Sequence, residues 1–349
     1  MNASKTVFLH VGNFKTGTSA IQKYCNDNRE LLVEKGLDYI DVARPSANET
    51  NHGQLALSLY QMAGQKTPDW YADEVSYEAV ALQVKASIMS STCQRVLISS
   101  EEFYRIPSFD DASKKLARNQ LRDLFRGNEV KVILYVRSPM EFVMSWYNEV
   151  NKSRTPRRRF VDYVYYMDKR MVLPCSNLAF WRDVFGSNAV IVEPYSLTGL
   201  QHIRRFLSLA SVDGLELGQS AALNINSRVD EQKLEEDRIN KIMTIVKSDE
   251  REGYLRSTAL SSIDRLKALE QKLNSINVEF ERTCWEEGLE VRGSELSLFN
   301  VLVYDETINR RDVISTGGFG KVRAKLLNYK AAIWAKNGIH RLKRREKYK

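Results

Sequence analysis

The chain has few of the residues that build metal centres and disulfide frameworks. Its 349 residues include only four cysteines and four histidines. The cysteines are far apart, form no CxxC pair and lie beside no histidine cluster, which argues against a zinc site and a disulfide-stapled fold. The sequence therefore predicts no bound metal and a reducing compartment, and we expect a cytoplasmic protein.

Long apolar runs are also missing. The apolar run near the N-terminus, residues 7–11, is shorter than the hydrophobic region of a signal peptide and is interrupted by His10. No stretch of the sequence approaches the roughly 20 apolar residues that are needed to span a bilayer. We therefore expect neither a leader nor a membrane-spanning helix.

Positive charge is in modest excess. Lysine and arginine total 52 against 44 for aspartate and glutamate, a net charge of +8, which favours anionic partners. No recognised nucleic-acid-binding motif is present, so a nucleic acid partner is not expected. The basic tail, residues 340–349, is compatible with contact to an anionic membrane surface, and a solvated tail is the alternative.

Short apolar runs of strand type alternate with helical patterns through the first 195 residues. The runs are residues 6–11, 36–40, 95–99, 130–136 and 189–192. This alternation predicts an α/β fold in three layers, P-loop-like, with a central parallel sheet between helices. Helical patterns dominate afterwards, so we predict an α/β core over residues 1–230 and a helical C-terminal extension over residues 231–349, packed on the core or appended to it.

The sharpest local signal is a glycine-containing loop between the first strand and a helical pattern. It reads Gly12-Asn13-Phe14-Lys15-Thr16-Gly17-Thr18-Ser19. Such a junction directs backbone N–H groups at an anion, and the helix dipole adds positive charge. Lys15 supplies a full charge, and the hydroxyl groups supply further donors. The loop predicts a phosphate or phosphosulfate site, with a ligand-free helix cap as the alternative.

A second element follows the strand at residues 130–136. Arg137 stands at the end of this strand, Pro139 suits the first turn of a helix, and Ser145 lies further along that helix. An arginine and a hydroxyl placed in this way can hold one phosphate from two sides. The element therefore predicts a second phosphate site.

Together, the two elements resemble those of sulfotransferases that use 3'-phosphoadenosine 5'-phosphosulfate (PAPS). The order KTGTS resembles their 5'-phosphosulfate loop, with Phe14 where many members have proline. Arg137, Pro139, Ser145 and Tyr147 match the pattern R-x-P-x5-S-x-Y of their 3'-phosphate site. The resemblance implies PAPS as co-substrate, no metal, and sulfuryl transfer to a hydroxyl or amine of a glycan or glycolipid acceptor.

Sulfuryl transfer needs a cation at the leaving group and a base at the nucleophile. By position Lys15 is the leaving-group cation, a role that its counterpart holds in the family. Two residues compete for the role of base. His52 lies in a polar turn that leads into a helix, in an N-H-x-x-L-A run similar to that of bacterial relatives. Glu101 follows a central strand in an S-S-E run, where it could instead bind the acceptor.

Two other functions are compatible with parts of the sequence. A nucleotide kinase of the P-loop class would use a similar loop, but Lys15 precedes Gly17 whereas the Walker A lysine follows the second glycine. A non-catalytic nucleotide-binding protein would also carry such a loop. The basic cluster at residues 152–159 is either a solvated loop or an acceptor site for an anionic glycan or lipid head group.

Overall fold

In a computed structural model of the chain, the described residues are 4–153, 155–197, 199–214, 231–291 and 293–308. The basic tail at residues 340–349 lies outside them. The chain forms two compact units. The first comprises the described parts of Met1–Glu149, Tyr166–Arg228 and Gln271–Leu296. The second comprises the described parts of Val150–Tyr165, Val229–Glu270 and Ser297–Lys349.

The predicted extent of the α/β core, residues 1–230, stays a prediction, and the two compact units have boundaries of their own. Here the chain passes between the units several times, and three of these passages fall inside the helices Pro139–Lys152, Phe160–Tyr166 and Ile263–Glu286. A boundary inside a continuous helix carries no proline, glycine or polar linker signal. The sequence therefore offered nothing that could mark these positions.

The first unit is built on a sheet of five parallel strands. These are β1 (Thr6–Gly12), β2 (Leu37–Tyr39), β3 (Arg95–Ser99), β4 (Glu129–Val136) and β5 (Val190–Pro194), in the order β2-β3-β1-β4-β5. In the register, Thr6 lies opposite Arg95 on one side and Glu129 on the other. The central positions belong to β3, β1 and β4, whose continuous apolar sequences suit strands that are covered on both faces.

Helices flank this sheet and give the α/β, three-layer architecture that the sequence predicted. The α-helices of the described residues are α1 (Thr18–Asp27), α2 (Arg29–Glu34), α3 (Gly53–Met62), α4 (Tyr77–Ser90), α5 (Asp111–Leu124), α6 (Pro139–Lys152), α7 (Phe160–Tyr166), α8 (Cys175–Phe185), α9 (Gly199–Leu209), α10 (Glu231–Ile245), α11 (Glu252–Leu255), α12 (Ile263–Glu286) and α13 (Leu298–Ile308). A 3-10 helix, Glu101–Ser108, follows β3. None of the described helices combines the length and apolarity needed to cross a membrane.

Helices α1 and α9 pack into one apolar cluster with the sheet. From the helices this cluster takes Ile21, Cys25 and Phe206, and from the strands it takes Phe8 and Tyr135. Burial of side chains of this size contributes about 2 kcal/mol each. The packing holds the N-terminus of α1 directly beyond the end of β1, which is where the glycine-containing loop lies.

The second unit contains charged groups in its interior. Arg159 forms an ion pair with Asp305 at 2.6 Å, and both side chains are buried. Arg238 contacts Glu235 with two nitrogens, at 2.5 and 2.7 Å. Removing one partner of such a pair strands a buried charge and costs about 3–5 kcal/mol. Arg159 belongs to the basic cluster at residues 152–159, so this part of the cluster has a structural partner and is not offered to an anionic acceptor.

Candidate active site

Four neighbouring strands end at one edge of the sheet, and each is followed by a polar or aromatic residue of interest. Glu101 follows β3, the glycine-containing loop follows β1, Arg137 follows β4 and Tyr195 follows β5. The chain runs from β1 to strands on one side of it before β4 is added on the other side. Such a switch point beyond the carboxyl ends of parallel strands is where open α/β sheets bind ligands.

The loop from Gly12 to Ser19 has a backbone that needs its glycines. Gly12 and Gly17 adopt φ of 66° and 75°. A Cβ on Gly17 would lie 2.9 Å from the His202 ring, so only glycine fits. The Thr16 hydroxyl donates to the Asn13 carbonyl at 2.7 Å and closes the turn. No side chain caps α1, so no side-chain acceptor occupies the backbone N–H groups at its start.

Phe14, which stands where the family that the sequence resembles often has proline, helps to hold the loop in place. Its ring is buried and lies 4.8 Å from the Trp146 ring and 6.0 Å from the Tyr104 ring. Trp146 belongs to α6, and Tyr104 belongs to the 3-10 helix after β3. Packing against two neighbouring elements therefore restricts the loop where a proline ring would otherwise stiffen it.

Arg137 joins the two predicted phosphate elements. Its guanidinium donates a hydrogen bond from Nη1 to the backbone carbonyl of Lys15. It also lies over the Tyr195 ring, with 5.2 Å between the guanidinium carbon and the ring centroid. Ser145 is half-buried on α6, the helix that begins two residues after Arg137. The first phosphate loop and the second element thus face one another across the strand ends.

His202 is a site residue that the sequence did not reveal. It lies on α9, its ring is 5.1 Å from the Tyr195 ring, and it forms a hydrogen bond with the backbone of Thr16. Burial lowers the pKa of His202 to about 4, so the ring is neutral at physiological pH. Because Tyr195 also contacts Arg137, the two rings together contact both phosphate elements.

Glu101 lies directly beside the phosphate loop. A Cβ placed on Gly12 would meet the Cα of Glu101 at 3.4 Å, so the two backbones are in close contact. Gln22 of α1 donates to the Glu101 carboxylate at 2.9 Å, and the same amide group lies 3.3 Å from the Ser99 hydroxyl. His10 is buried and contacts that hydroxyl at 2.8 Å. A buried polar chain therefore orients Glu101 at the loop.

The next residue, Glu102, has an unusual protonation equilibrium. Its side chain is buried, and burial, with a smaller contribution from the Glu101 charge, raises the pKa of Glu102 to about 7. The hydroxyl of Ser100 accepts a hydrogen bond from its backbone N–H, and the Tyr60 hydroxyl donates to its carbonyl. Two adjacent carboxyl groups with different environments thus stand at the end of β3. From the sequence, only the first of them is a candidate for catalysis.

The structure does not support His52 as the general base. Its ring is fully buried, Nε2 donates to the Ile40 carbonyl at 2.8 Å, and Nδ1 accepts from the Ser99 N–H at 3.0 Å. Burial, assisted by the positive charge of Arg44, lowers the pKa of His52 to about 3. Both nitrogens are occupied by backbone groups, so this histidine joins β3 to the chain after β2 and has no lone pair to accept a substrate proton.

Three buried histidines should make the protein sensitive to mild acid. The pKa values of His10 and His52 are lowered to about 3 and that of His202 to about 4, all chiefly by burial. The unfolded chain binds more protons than the fold below pH 6.5, so stability decreases as pH falls, by about 1.4 kcal/mol per pH unit for each histidine. We expect urea unfolding at pH 6.5, 5.75 and 5 to show this slope. His52→Gln should remove the contribution of one histidine, about 1.4 kcal/mol per pH unit; an unchanged slope would contradict the burial of His52.

The loop contains a buried polar atom that suits an anionic ligand. The Thr18 side chain is 4% exposed, and its hydroxyl has no hydrogen-bond partner within the described structure. Unpaired buried hydroxyls are costly, and a phosphate oxygen would accept this hydrogen bond. The residues of the loop therefore fit a phosphate group. The described residues contain no group of three or more histidine, cysteine, aspartate or glutamate side chains that could hold a metal ion.

Comparisons with known proteins give one structural similarity. No protein-family profile and no curated protein matches the chain. Among solved structures, the fold is similar to that of a sulfotransferase from Alicyclobacillus acidocaldarius, with a TM-score of 0.38 and 13% sequence identity. The alignment covers 69% of this chain and 94% of that chain. A TM-score of this size supports no functional conclusion, so the function is inferred from the residues of the site.

Proposed function

We propose that the protein is a sulfotransferase that transfers a sulfuryl group from PAPS to a hydroxyl or amine. The observation that carries the proposal is the hydrogen bond from Arg137 to the Lys15 carbonyl. It brings together two phosphate-binding elements that are 122 residues apart in sequence. A donor with a phosphosulfate at one end and a separate phosphate on the ribose requires two such elements side by side.

The loop and the element formed by Arg137 and α6 bind different parts of the donor. Backbone N–H groups at the start of α1, the Thr18 hydroxyl and Lys15 would hold the 5'-phosphosulfate. Arg137 and Ser145 would hold the 3'-phosphate, since a guanidinium and a hydroxyl can grip one phosphate from two sides. Tyr195 beneath Arg137 orients the guanidinium through its ring face.

The donor supplies the sulfuryl group and an adenosine 3',5'-bisphosphate leaving group. When the acceptor oxygen or nitrogen forms its bond to sulfur, the bond between sulfur and the bridging oxygen breaks, and negative charge develops on that oxygen. The Lys15 ammonium stabilises this charge. The Glu101 carboxylate, beside Gly12 and oriented by Gln22, accepts the proton of the acceptor.

Glu101→Gln should separate catalysis from donor binding. The amide cannot accept the acceptor proton, so we expect the rate of transfer to fall by about 100-fold, while adenosine 3',5'-bisphosphate binds as before. Single-turnover transfer from PAPS and calorimetric titration measure the two quantities. Glu102→Gln is the matched control at the neighbouring buried carboxyl. If only the Glu102 variant lost transfer, the role of base would belong to Glu102.

The acceptor that we propose is a glycan or glycolipid, which offers the hydroxyl or amine that the chemistry needs. Its support is the family resemblance together with the positive charge of the chain, which suits acidic sugars and anionic head groups. We also propose a cytoplasmic location, in keeping with the few, unpaired cysteines.

A calorimetric titration with adenosine 3',5'-bisphosphate tests the proposal most directly, with 5'-AMP and ATP plus magnesium as controls. Tight binding that requires the 3'-phosphate is the expected result, because the proposal assigns Arg137 and Ser145 to that phosphate. A preference for ATP with magnesium would overturn the proposal in favour of a kinase.

A further inference from the structure

Lys15 is already paired with a carboxylate in this structure. Its ammonium lies 2.9 Å from the Glu149 carboxylate, although the two residues are 134 positions apart in sequence. The Lys15 side chain is 16% exposed and that of Glu149 is 39% exposed, so the pair is sheltered on the lysine side and accessible on the other. The group that would stabilise the leaving oxygen therefore has a competing anionic partner.

The competing carboxylate belongs to a repeated pattern on α6. Glu141, Ser145 and Glu149 follow one another at intervals of four residues and so lie on one face of the helix. Glu141 lies 3.8 Å from Arg137, and Glu149 lies 2.9 Å from Lys15. One face of α6 thus presents a carboxylate to each of the two cations, with the Ser145 hydroxyl between them.

These carboxylates have consequences for an anionic ligand. A phosphosulfate that approaches Lys15 must take the ammonium away from Glu149 and must also lie near a second negative charge. When another partner holds a lysine for part of the time, the apparent affinity of its ligand is reduced to the fraction of time that the lysine is free. Glu149 therefore weakens donor and product binding at this end of the site.

We propose that Glu149 is a positioning residue that competes with the donor for Lys15. The proposal rests on the sulfotransferase function proposed above. Between turnovers Glu149 holds the ammonium beside the phosphate loop. Donor binding then draws the Lys15 ammonium away from Glu149. After transfer, Glu149 takes Lys15 back and favours release of the bisphosphate product.

Glu149→Gln tests this role, because glutamine keeps the size of the side chain and removes its charge. We expect the variant to bind adenosine 3',5'-bisphosphate roughly three- to tenfold more tightly than the wild type does. Added salt should reduce this gain in affinity less than it reduces the affinity itself. Hydrolysis of PAPS without acceptor should rise by a similar factor. A purely structural contact would show the opposite, since its loss would weaken binding. Glu149→Asp should return the affinity toward that of the wild type.

Asp27→Asn provides the matched control. Asp27 pairs with Lys23 at 2.8 Å on the exposed side of α1, at the far end of the helix from the loop. Its removal deletes a lysine–carboxylate pair of the same type and should leave bisphosphate affinity unchanged. A change as large as that of Glu149→Gln would show a general effect of net charge and would overturn the proposal.

The two proposals fail in different ways. If the wild type does not bind adenosine 3',5'-bisphosphate, the sulfotransferase function is wrong, and the inference about Glu149 fails with it. If the wild type binds the bisphosphate but Glu149→Gln binds it equally or more weakly, the function stands and the role of Glu149 is wrong. Tighter binding by the variant, together with faster hydrolysis of PAPS, supports both proposals.

Discussion

Lys15→Ala should reduce sulfuryl transfer from PAPS by about 100- to 1,000-fold, a loss typical of removing one group that stabilises developing negative charge. Lys15 occupies the left-handed region with φ of 63°, and alanine accepts this conformation no more easily than lysine does. The backbone of the loop is therefore under similar strain in both proteins. The loss would report the missing ammonium group rather than a rearranged loop.

The measurement compares initial rates of adenosine 3',5'-bisphosphate release from PAPS. The acceptor is taken from a panel of glycans and glycolipids. If the wild type transfers to none of them, hydrolysis of PAPS by water is measured instead. Lys23→Ala serves as the control, because Lys23 is an exposed lysine on the helix that follows the loop. Near-normal turnover by the Lys15 variant would remove this residue from the leaving-group role, whereas equal losses in both variants would point to charge alone.

The parts of the fold that the sequence predicted depend on local patterns. The five predicted strands all form, and Arg95–Ser99 has the bounds that its apolar run indicated. The phosphate loop was recognisable because a buried strand, a glycine and a helical pattern follow one another without interruption. Such features need only neighbouring residues, so one sequence is sufficient to detect them.

The features that were not predicted depend on residues distant in sequence. His52 stands in a polar turn, which favours exposure, but the carbonyl of Ile40 and the N–H of Ser99 enclose its ring. Glu149 looks like an ordinary helix surface residue until α6 is placed beside the phosphate loop. In both cases the chemistry of the side chain is set by a contact that no local pattern reports.

Burial changed the identity of the candidate base. By its ordinary pKa of about 6.5, a histidine is a better base at neutral pH than a carboxylate is. The fold removes this advantage by enclosing His52, and it places the carboxylate of Glu101 against Gly12 instead. Burial also raises the pKa of the neighbouring Glu102 to about 7.

Arg137→Ala should separate recognition of the 3'-phosphate from recognition of the rest of the nucleotide. We expect adenosine 3',5'-bisphosphate to bind about 100-fold more weakly, since loss of a charge-assisted contact to phosphate costs about 3 kcal/mol. Binding of 5'-AMP should change by less than about fivefold. Calorimetric titration of both nucleotides measures the difference, and equal losses for the two would contradict the assignment of Arg137 to the 3'-phosphate.

The hydrogen bond from Arg137 to the Lys15 carbonyl requires a second variant for this test. Removal of the guanidinium also deletes the hydrogen bond that holds the loop. Binding of the 5' end of the nucleotide would then weaken too, and with it the affinity for 5'-AMP. Ser145→Ala has no such connection, because Ser145 lies further along α6. This substitution should weaken binding of the bisphosphate by about tenfold and leave the affinity for 5'-AMP unchanged. If the serine variant is selective and the arginine variant is not, Arg137 acts mainly by shaping the loop, and Ser145 carries the distinction between the two nucleotides.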